Sequence, residues 1–336
     1  MSDDLKASEV TGDPGVSDLT AGPESLIPGH EPKRREPSGN RTLYGDAWYR
    51  LSRNKLALVA LAWLIVIILA ALTADLWVPQ NFGAPNAIDT STIATSRFLS
   101  PSVAHPLGTD DLGRDLFSRV IYGARISLTV GALAVVVAVL IGLLLGALAG
   151  FYGGTLDAVI MRVADVFLAF PYILFAVLLL SVIPESSRTS IIPVVLTIGV
   201  LGWPSIARVL RSSILSVKEN DYVDAGRALG ASDGRLILRH ILPNAVAPIL
   251  VYATMSIGGA ILTEAALSYL GLGILPDPIT SPNAVSWGRM ISDGQSYLQS
   301  NAAIVLWPGL AILATVLAFT LLGDGVRDAL DVKMKD

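Results

Sequence analysis

Few side chains in this sequence could do chemistry, and their spacing narrows what that chemistry would be. The chain has no cysteine, which rules out disulfides, thiol nucleophiles and cysteine-ligated metal. Its three histidines are His30, His105 and His240. His105 stands ahead of Asp110, Asp111 and Asp115, a grouping that raises the question of a metal. One histidine and three carboxylates without further nitrogen donors make a poor set of ligands for a transition metal. The simpler reading has Asp110 capping a short helix that carries Leu112, Leu116 and Val120, with Asp115 and Arg119 paired at i,i+4. No G-x-x-x-x-G-K-[ST] phosphate loop occurs, so nucleotide chemistry of that kind must come from another polypeptide. The basic residues form no groove-lining pattern of the sort that binds nucleic acid. No catalytic residue, no metal site and no bound cofactor is expected on this chain.

Two acidic residues fall inside otherwise apolar stretches. Asp165 is three residues from Arg162, and a local pair is the simple expectation. Glu264 lies near the outer end of an apolar stretch. There it either lines an outer gate or pairs with an outer arginine such as Arg125, since a charge at that depth faces protein or water.

A third feature is the polar stretch Asp221 to Asn244. Tyr222 to Leu229 holds good helix formers, with Asp224 and Arg227 at i,i+3. Gly230 permits a left-handed turn at the end of that helix, and Ser232 or Asp233 can cap the next. Leu236, Ile237 and Ile241 then form an apolar stripe, and Pro243 turns the chain away. On physical grounds this is equally a helix presented to a partner or a helix resting on lipid headgroups.

The elements that position these residues follow from composition. Of 336 residues, 52% are hydrophobic and 15% charged, against about 25% charged in soluble domains. Six stretches reach the roughly 20 apolar residues that a bilayer requires: 56–74, 126–149, 163–183, 190–207, 245–263 (extending to 267) and 302–323. The six leucines, three isoleucines and two valines of the first contribute roughly −5 kcal/mol to insertion. Pro184 to Thr189 is short enough to force a tight helical hairpin. Pro171 and the Trp203-Pro204 pair are expected to kink their helices. Gly142, Gly146 and Gly150 make a smooth face for a neighbouring helix. Of 24 Lys and Arg residues, six (Arg97, Arg114, Arg119, Arg125, Arg188 and Arg289) fall on one set of connections. The remaining 18 lie on the other, which is therefore the cytoplasmic set. Both termini are expected in the cytoplasm. Residues 1–40 read as a disordered cytoplasmic tail, residues 41–55 as a cytoplasmic lead-in, and residues 56–336 as the six-helix domain.

The stretch DYVDAGRALGASDGRLILRHILPN resembles the EAA loop of bacterial ABC importer permeases. Asp224, Ala225 and Gly226 stand for the Glu-Ala-Ala triplet, Gly230 for the glycine of the pattern, and Leu242 and Pro243 for the closing pair. His240 takes the place of an isoleucine, and three positions depart from the pattern. WYRLSRNKLALVAL, HPLGTDDLGRDLFSRVIYGARISL, EAALSYLGLG, SWGRMI and LLGDGVRDALD extend the likeness over roughly Arg41 to Asp331. Together they resemble the second permease subunit of the dipeptide and oligopeptide permease group. The outer loop Pro276 to Val285 is longer than that pattern.

The resemblance implies an all-α integral membrane protein of six transmembrane helices, with a type I ABC importer permease fold. It assigns ATPase coupling to Asp224, Ala225, Gly226, Gly230, Ser232, Leu242 and Pro243. It further implies a bacterial plasma-membrane location and a set of partners: a second homologous permease, one or two cytoplasmic ATPase subunits that carry ATP and Mg, an extracytoplasmic binding protein, membrane lipid, and a peptide substrate. Related permeases that carry nickel or other small solutes keep a second cargo open. A stand-alone secondary transporter is the reading from another class, and it would work without nucleotide.

Overall fold

The computed structural model describes residues 43–82, 85–86, 88, 91–275 and 283–330. The expected tail, and most of the long loop from Pro276, lie outside them. Among the described residues the regular elements are helices, with one isolated β-bridge between Thr109 and Asp115. Helix α1 (Leu43–Leu51) precedes α2 (Lys55–Phe82), and Asn54 Oδ1 accepts from the Ala57 amide at 3.2 Å to start α2. A short turn of helix, α3 (Ile93–Ser96), lies in the connection to α4 (Leu116–Tyr152). Next come α5 (Gly154–Ala169), α6 (Tyr172–Ser181), a 3-10 turn at Glu185–Thr189 and α7 (Ile192–Lys218). The polar loop holds α8 (Asp221–Ala228), α9 (Asp233–Arg235), a π-helical turn Leu236–Ile241 and α10 (Leu242–Ala245). Then follow α11 (Ala247–Tyr269), α12 (Trp287–Gly294) and α13 (Ala303–Leu330).

Helices α2, α4, α7, α11 and α13 are each long and apolar enough to cross a membrane, and α5 with α6 makes a sixth, broken span. Helix α2 shows how such a helix is read. Its buried face is Ala57, Ala60, Leu64, Ile67, Ala71 and Ala74, spaced by three and four, while Val59, Val66, Leu72 and Leu76 are exposed. Small side chains turn inward and large ones outward, the pattern expected where lipid is the solvent.

The third expected span is not continuous. Helices α5 and α6 meet at 89°, because Pro171 cannot donate an amide hydrogen and holds Phe170 extended, at φ −86° and ψ 140°. Pro204 interrupts nothing: it lies inside α7, which runs on to Lys218. Helix α4, at 37 residues, starts ten residues before the expected Ile126. At 1.5 Å per residue it is about 55 Å long, so it projects well beyond a hydrocarbon core of about 30 Å.

The tightest packing joins α4 to α7, along the expected glycine face. A Cβ on Gly142 would lie 2.6 Å from Ile206 Cγ2, one on Gly146 2.7 Å from the Ala207 carbonyl oxygen, and one on Gly150 3.0 Å from Ile214 Cβ. No ordinary side chain fits at those distances, so the two backbones touch. Helix α13 packs on both α2 and α11, and α12 is wedged among α4, α11 and α13.

Candidate functional site

The polar loop is ordered and docked. Helix α8 carries Asp221 and Asp224 in its first turn, where they favour the positive end of the helix dipole. Asp224 pairs with Arg227 at 3.1 Å, as the spacing predicts. Gly230, at φ +80°, ends the helix, and the Ala231 amide donates back to the Gly226 carbonyl at 3.1 Å. Ser232 occupies the next cap position without a side-chain bond, and the Leu236 amide donates to its backbone oxygen at 2.9 Å. The Leu236–Ile241 turn is π-helical, a widened turn that recurs at functional sites. Val223, Leu236 and Ile241 are buried together with Leu210 and Ile214 of α7 and Ile249 of α11. These contacts fix the loop on the ends of two spans.

The opposite face of the loop is bare. Asp224, Ala225, Gly230, Ser232 and Pro243 are exposed, while Gly226 and Leu242 are half-buried. Leu229 is 89% exposed and Leu238 69%. Neither leucine was singled out by sequence. The available signal was an apolar residue on the polar side of each short helix, away from Val223 and Leu236.

A furrow of three adjoining cavities follows α7 and α11 from mid-helix toward their loop ends, stopping short of Asp221–Asn244. Its deepest part, a cavity of about 580 Å3, is lined by α4, Leu168, Tyr172, Ser205, Tyr252 and Thr263, among others. A second cavity of about 520 Å3 shares Tyr252 and Met255 with it. A third, of about 530 Å3, shares Val209 and Pro248 with the second and is lined by Ser212 and Ser216. From Ile198 to Ser216 the furrow extends about 27 Å along α7. Its lining is mostly apolar, with the hydroxyls of Tyr172, Ser205, Tyr252, Ser212 and Ser216 spaced along it, and Arg208 and Arg327 are the charged residues that touch it.

Glu264 is absent from this lining. It is fully buried, and accepts from Ser127 Oγ at 2.8 Å and Ser268 Oγ at 2.6 Å. The expected Arg125 partner is elsewhere: Arg125 binds Asp75 at 2.9 Å and the Ala71 carbonyl at 2.9 Å. Residues two apart on a helix point about 200° apart, so Ser127 faces α11 while Arg125 faces α2. Ser127 also approaches the Trp287 amide at 3.4 Å, and the Trp287 indole donates to the Val120 carbonyl at 2.9 Å. Glu264 thus belongs to a buried polar junction of α4, α11 and α12.

The remaining acidic residues correct three expectations. Asp115, not Asp110, caps α4, accepting from the Ser118 amide at 2.7 Å. Its other oxygen binds His105 Nδ1 at 2.9 Å, so it is not the partner of Arg119. Asp110 instead closes a turn through Gly113, at φ +75°, accepting from the Leu112 and Arg114 amides at 3.0 and 2.9 Å. Arg119 reaches Asp293 at 3.1 Å and Asp110 at 3.5 Å. Burial raises the Asp115 and Asp111 carboxyls above the ordinary carboxylate range. Asp165 pairs with Arg208 of α7 rather than with Arg162.

Residues 142–336 match the family model of binding-protein-dependent transport system inner membrane components. Residues 42–101 match that of the N-terminal transmembrane domain of oligopeptide transport permease C. The chain is 40% identical over 309 residues to a dipeptide transport system permease protein, DppC, of Alkalihalophilus pseudofirmus, covering 91% of this chain and 96% of that one. It is 41% identical over 294 residues to the oligopeptide permease OppC of Bacillus subtilis, covering 88% and 91%. It is 40% identical over 300 residues to a glutathione transport permease, GsiD, of Escherichia coli, covering 89% and 94%. Among solved structures, an inward-facing MetNI methionine ABC transporter matches with a TM-score of 0.50 at 18% identity, covering 62% of this chain and 95% of that one, a likeness of fold. With its membrane-length helices and docked polar loop, this multi-pass chain belongs to the inner-membrane permeases of binding-protein-dependent ABC importers, in the DppC- and OppC-like group.

Proposed function

We propose that this chain is one of two permease subunits of an ATP-driven importer of di- and oligopeptides in the bacterial plasma membrane. The observation that carries the reading is the furrow, mainly apolar with hydroxyls spaced along it, which leads along α7 and α11 toward the docked loop. In this reading the loop and both termini lie in the cytoplasm, in keeping with the 18 basic residues on that side. The furrow forms this chain's half of the translocation path, and a homologous permease supplies the other half. A binding protein delivers peptide from outside.

The bare face of α8 is the surface an ATPase subunit would grip. Leu229 fits a hydrophobic socket there, with the Asp224–Arg227 pair beside it. Gly230 sets the angle at which α8 is presented, and Ser232, Leu242 and Pro243 hold the return of the chain to α11. ATP and Mg would sit on the ATPase. Its motion would reach α7 and α11 through the buried cluster of Val223, Leu236, Ile241 and Ile214.

The test is reconstitution. The chain is tagged, extracted mildly with whatever accompanies it, and placed in proteoliposomes with the binding protein that co-purifies or is encoded beside it. Expected is uptake of labelled di- and tripeptides that requires ATP, with Gly230→Pro and Asp224→Arg each lowering it more than tenfold and weakening ATPase association. Uptake without nucleotide would make the chain a secondary transporter. Uptake of nickel in preference to peptide or glutathione would change the cargo while keeping the architecture. Full transport by both loop variants would remove the coupling assignment.

A further inference from the structure

Helix α5 is built as a separate rigid piece. It starts at Gly154 and is preceded by Gly153, at φ +58° and +68°, and beyond the adjoining backbone no atom lies within 4 Å of where a Cβ would stand on either. Their positive φ is therefore not imposed by a crowding neighbour, and the pair is free to act as a hinge. The far end of α5 is the 89° break before Pro171. Between these two breaks only Ile160 and Ala164 are buried; they meet Trp203 and Ala207 of α7.

Two ion pairs complete the hold of α5 on α7, and they differ in kind. Near the glycine hinge, both oxygens of Asp157 bind Arg211, one of them at 2.6 Å. Those side chains are 17% and 33% exposed. Toward the break, Asp165 binds Arg208 through side chains that are 52% and 46% exposed. The second pair also has a particular place. Asp165 is one turn from Leu168, and Arg208 is one turn from Ser205. Leu168 and Ser205 line the deepest cavity of the furrow, whereas Arg208 lines the third cavity, toward the loop. The pair stands where the one part of the furrow gives way to the other.

We propose that Asp165 and Arg208 are positioning residues of the transport step: a latch that holds α5 across the loop-side exit of the furrow and parts when cargo leaves. The proposal rests on the translocation reading above. Asp157 and Arg211 are the pivot, because they lie beside the hinge and are the better buried of the two pairs. Asp165 and Arg208 are the exchangeable contact, because both side chains lie open at the surface of this chain, 52% and 46% exposed, and no packing holds them together. An exposed pair of this sort shifts a closed-to-open ratio by a factor of about five at most, small enough to be undone in every cycle.

The natural absence of cysteine provides the assay. Ser205→Cys places one thiol just above the latch. The complete complex is prepared in inside-out vesicles, and the rate of labelling by a membrane-impermeant sulfonated maleimide, added from the loop side, is measured without nucleotide. Expected is that Asp165→Asn speeds labelling about three- to fivefold, and that the exchange Asp165→Arg with Arg208→Asp returns the rate to that of the parent. A variant that only loosened the fold would lower complex yield without this reversal. Unchanged labelling in Asp165→Asn, or a faster rate that the exchange does not reverse, overturns the latch. Labelling as expected in a complex that takes up peptide without ATP would leave the latch standing and overturn the import reading instead.

Discussion

Replacing Glu264 tests the buried junction at the outer end of α11. Its carboxyl accepts two side-chain hydrogen bonds, from Ser127 and Ser268, at 2.8 and 2.6 Å. At about 1.5 kcal/mol each, the boundary between neutral and charge-assisted bonds, Glu264→Ala loses about 3 kcal/mol. For a chain of 336 residues that corresponds to a fall of about 4 °C in thermal midpoint. Glu264→Gln keeps one acceptor oxygen and should lose about half as much. The assay is the fraction of detergent-solubilised protein that stays monodisperse after heating. Double-mutant cycles identify the partner: Glu264→Ala with Ser127→Ala should be non-additive by about 1–2 kcal/mol, whereas Glu264→Ala with Arg125→Ala should add within about 0.5 kcal/mol. Strong coupling to Arg125 with simple additivity at Ser127 would show that α4 is rotated relative to its position here, and would refute the reasoning.

Two further predictions concern packing and pH. A Cβ on Gly146 would meet the Ala207 backbone at 2.7 and 3.0 Å, where nothing yields short of moving a helix. Gly146→Ala should therefore cost about 1–3 kcal/mol as overpacking, read as a lower midpoint and reduced transport. Gly259→Ala, with nothing within 4 Å, should be close to neutral, and equal effects at the two sites would refute the α4–α7 contact. At Asp115 burial is the largest cause of a raised pKa. A raised folded-state pKa gives stability that is present below the ordinary carboxylate value near 4 and lost as pH rises through the raised value. The midpoint of the native protein minus that of Asp115→Asn should therefore fall from pH 4 upward and then level off. A difference that grows with pH would contradict the assignment.

What could be read from sequence was whatever is periodic or local. The apolar stretches locate the spans, since lipid imposes length and composition directly. The four-residue spacing of Gly142, Gly146 and Gly150 locates the contact with α7. The i,i+3 placement of Asp224 and Arg227, and the turn at Gly230, follow from helix geometry alone. What failed was the choice of partner for Asp165, Glu264 and Asp115. Arg162 is the neighbour of Asp165 in sequence, yet Arg208, 43 residues away, takes it. Glu264 lies 137 residues from Ser127, and whether it meets Ser127 or Arg125 depends on how α4 is rotated, which spacing does not encode. The exchange of roles between Asp110 and Asp115 turns on Gly113, whose bend folds Asp110 back over the following amides. Proline at 171 predicts a bend, but not its size: with Phe170 held extended the two helices meet at 89°.

These pairings bear on what the furrow can do. Asp75 with Arg125, Asp157 with Arg211, and Asp110 with Arg114 and Arg119 are each paired away from its lining. The most deeply buried carboxyl, Glu264, is enclosed by serines in a junction apart from it. The long axis of the furrow is thereby left with hydroxyls, apolar surface and the edge charges Arg208 and Arg327. A free peptide carries an ammonium at one end and a carboxylate at the other. A fixed countercharge within the path would trap one of them, whereas hydroxyls both donate and accept, and let go as readily. Conduction requires binding weak enough to leave. A lining of this kind therefore favours passage over selection, which places the choice of cargo on the partner that delivers it.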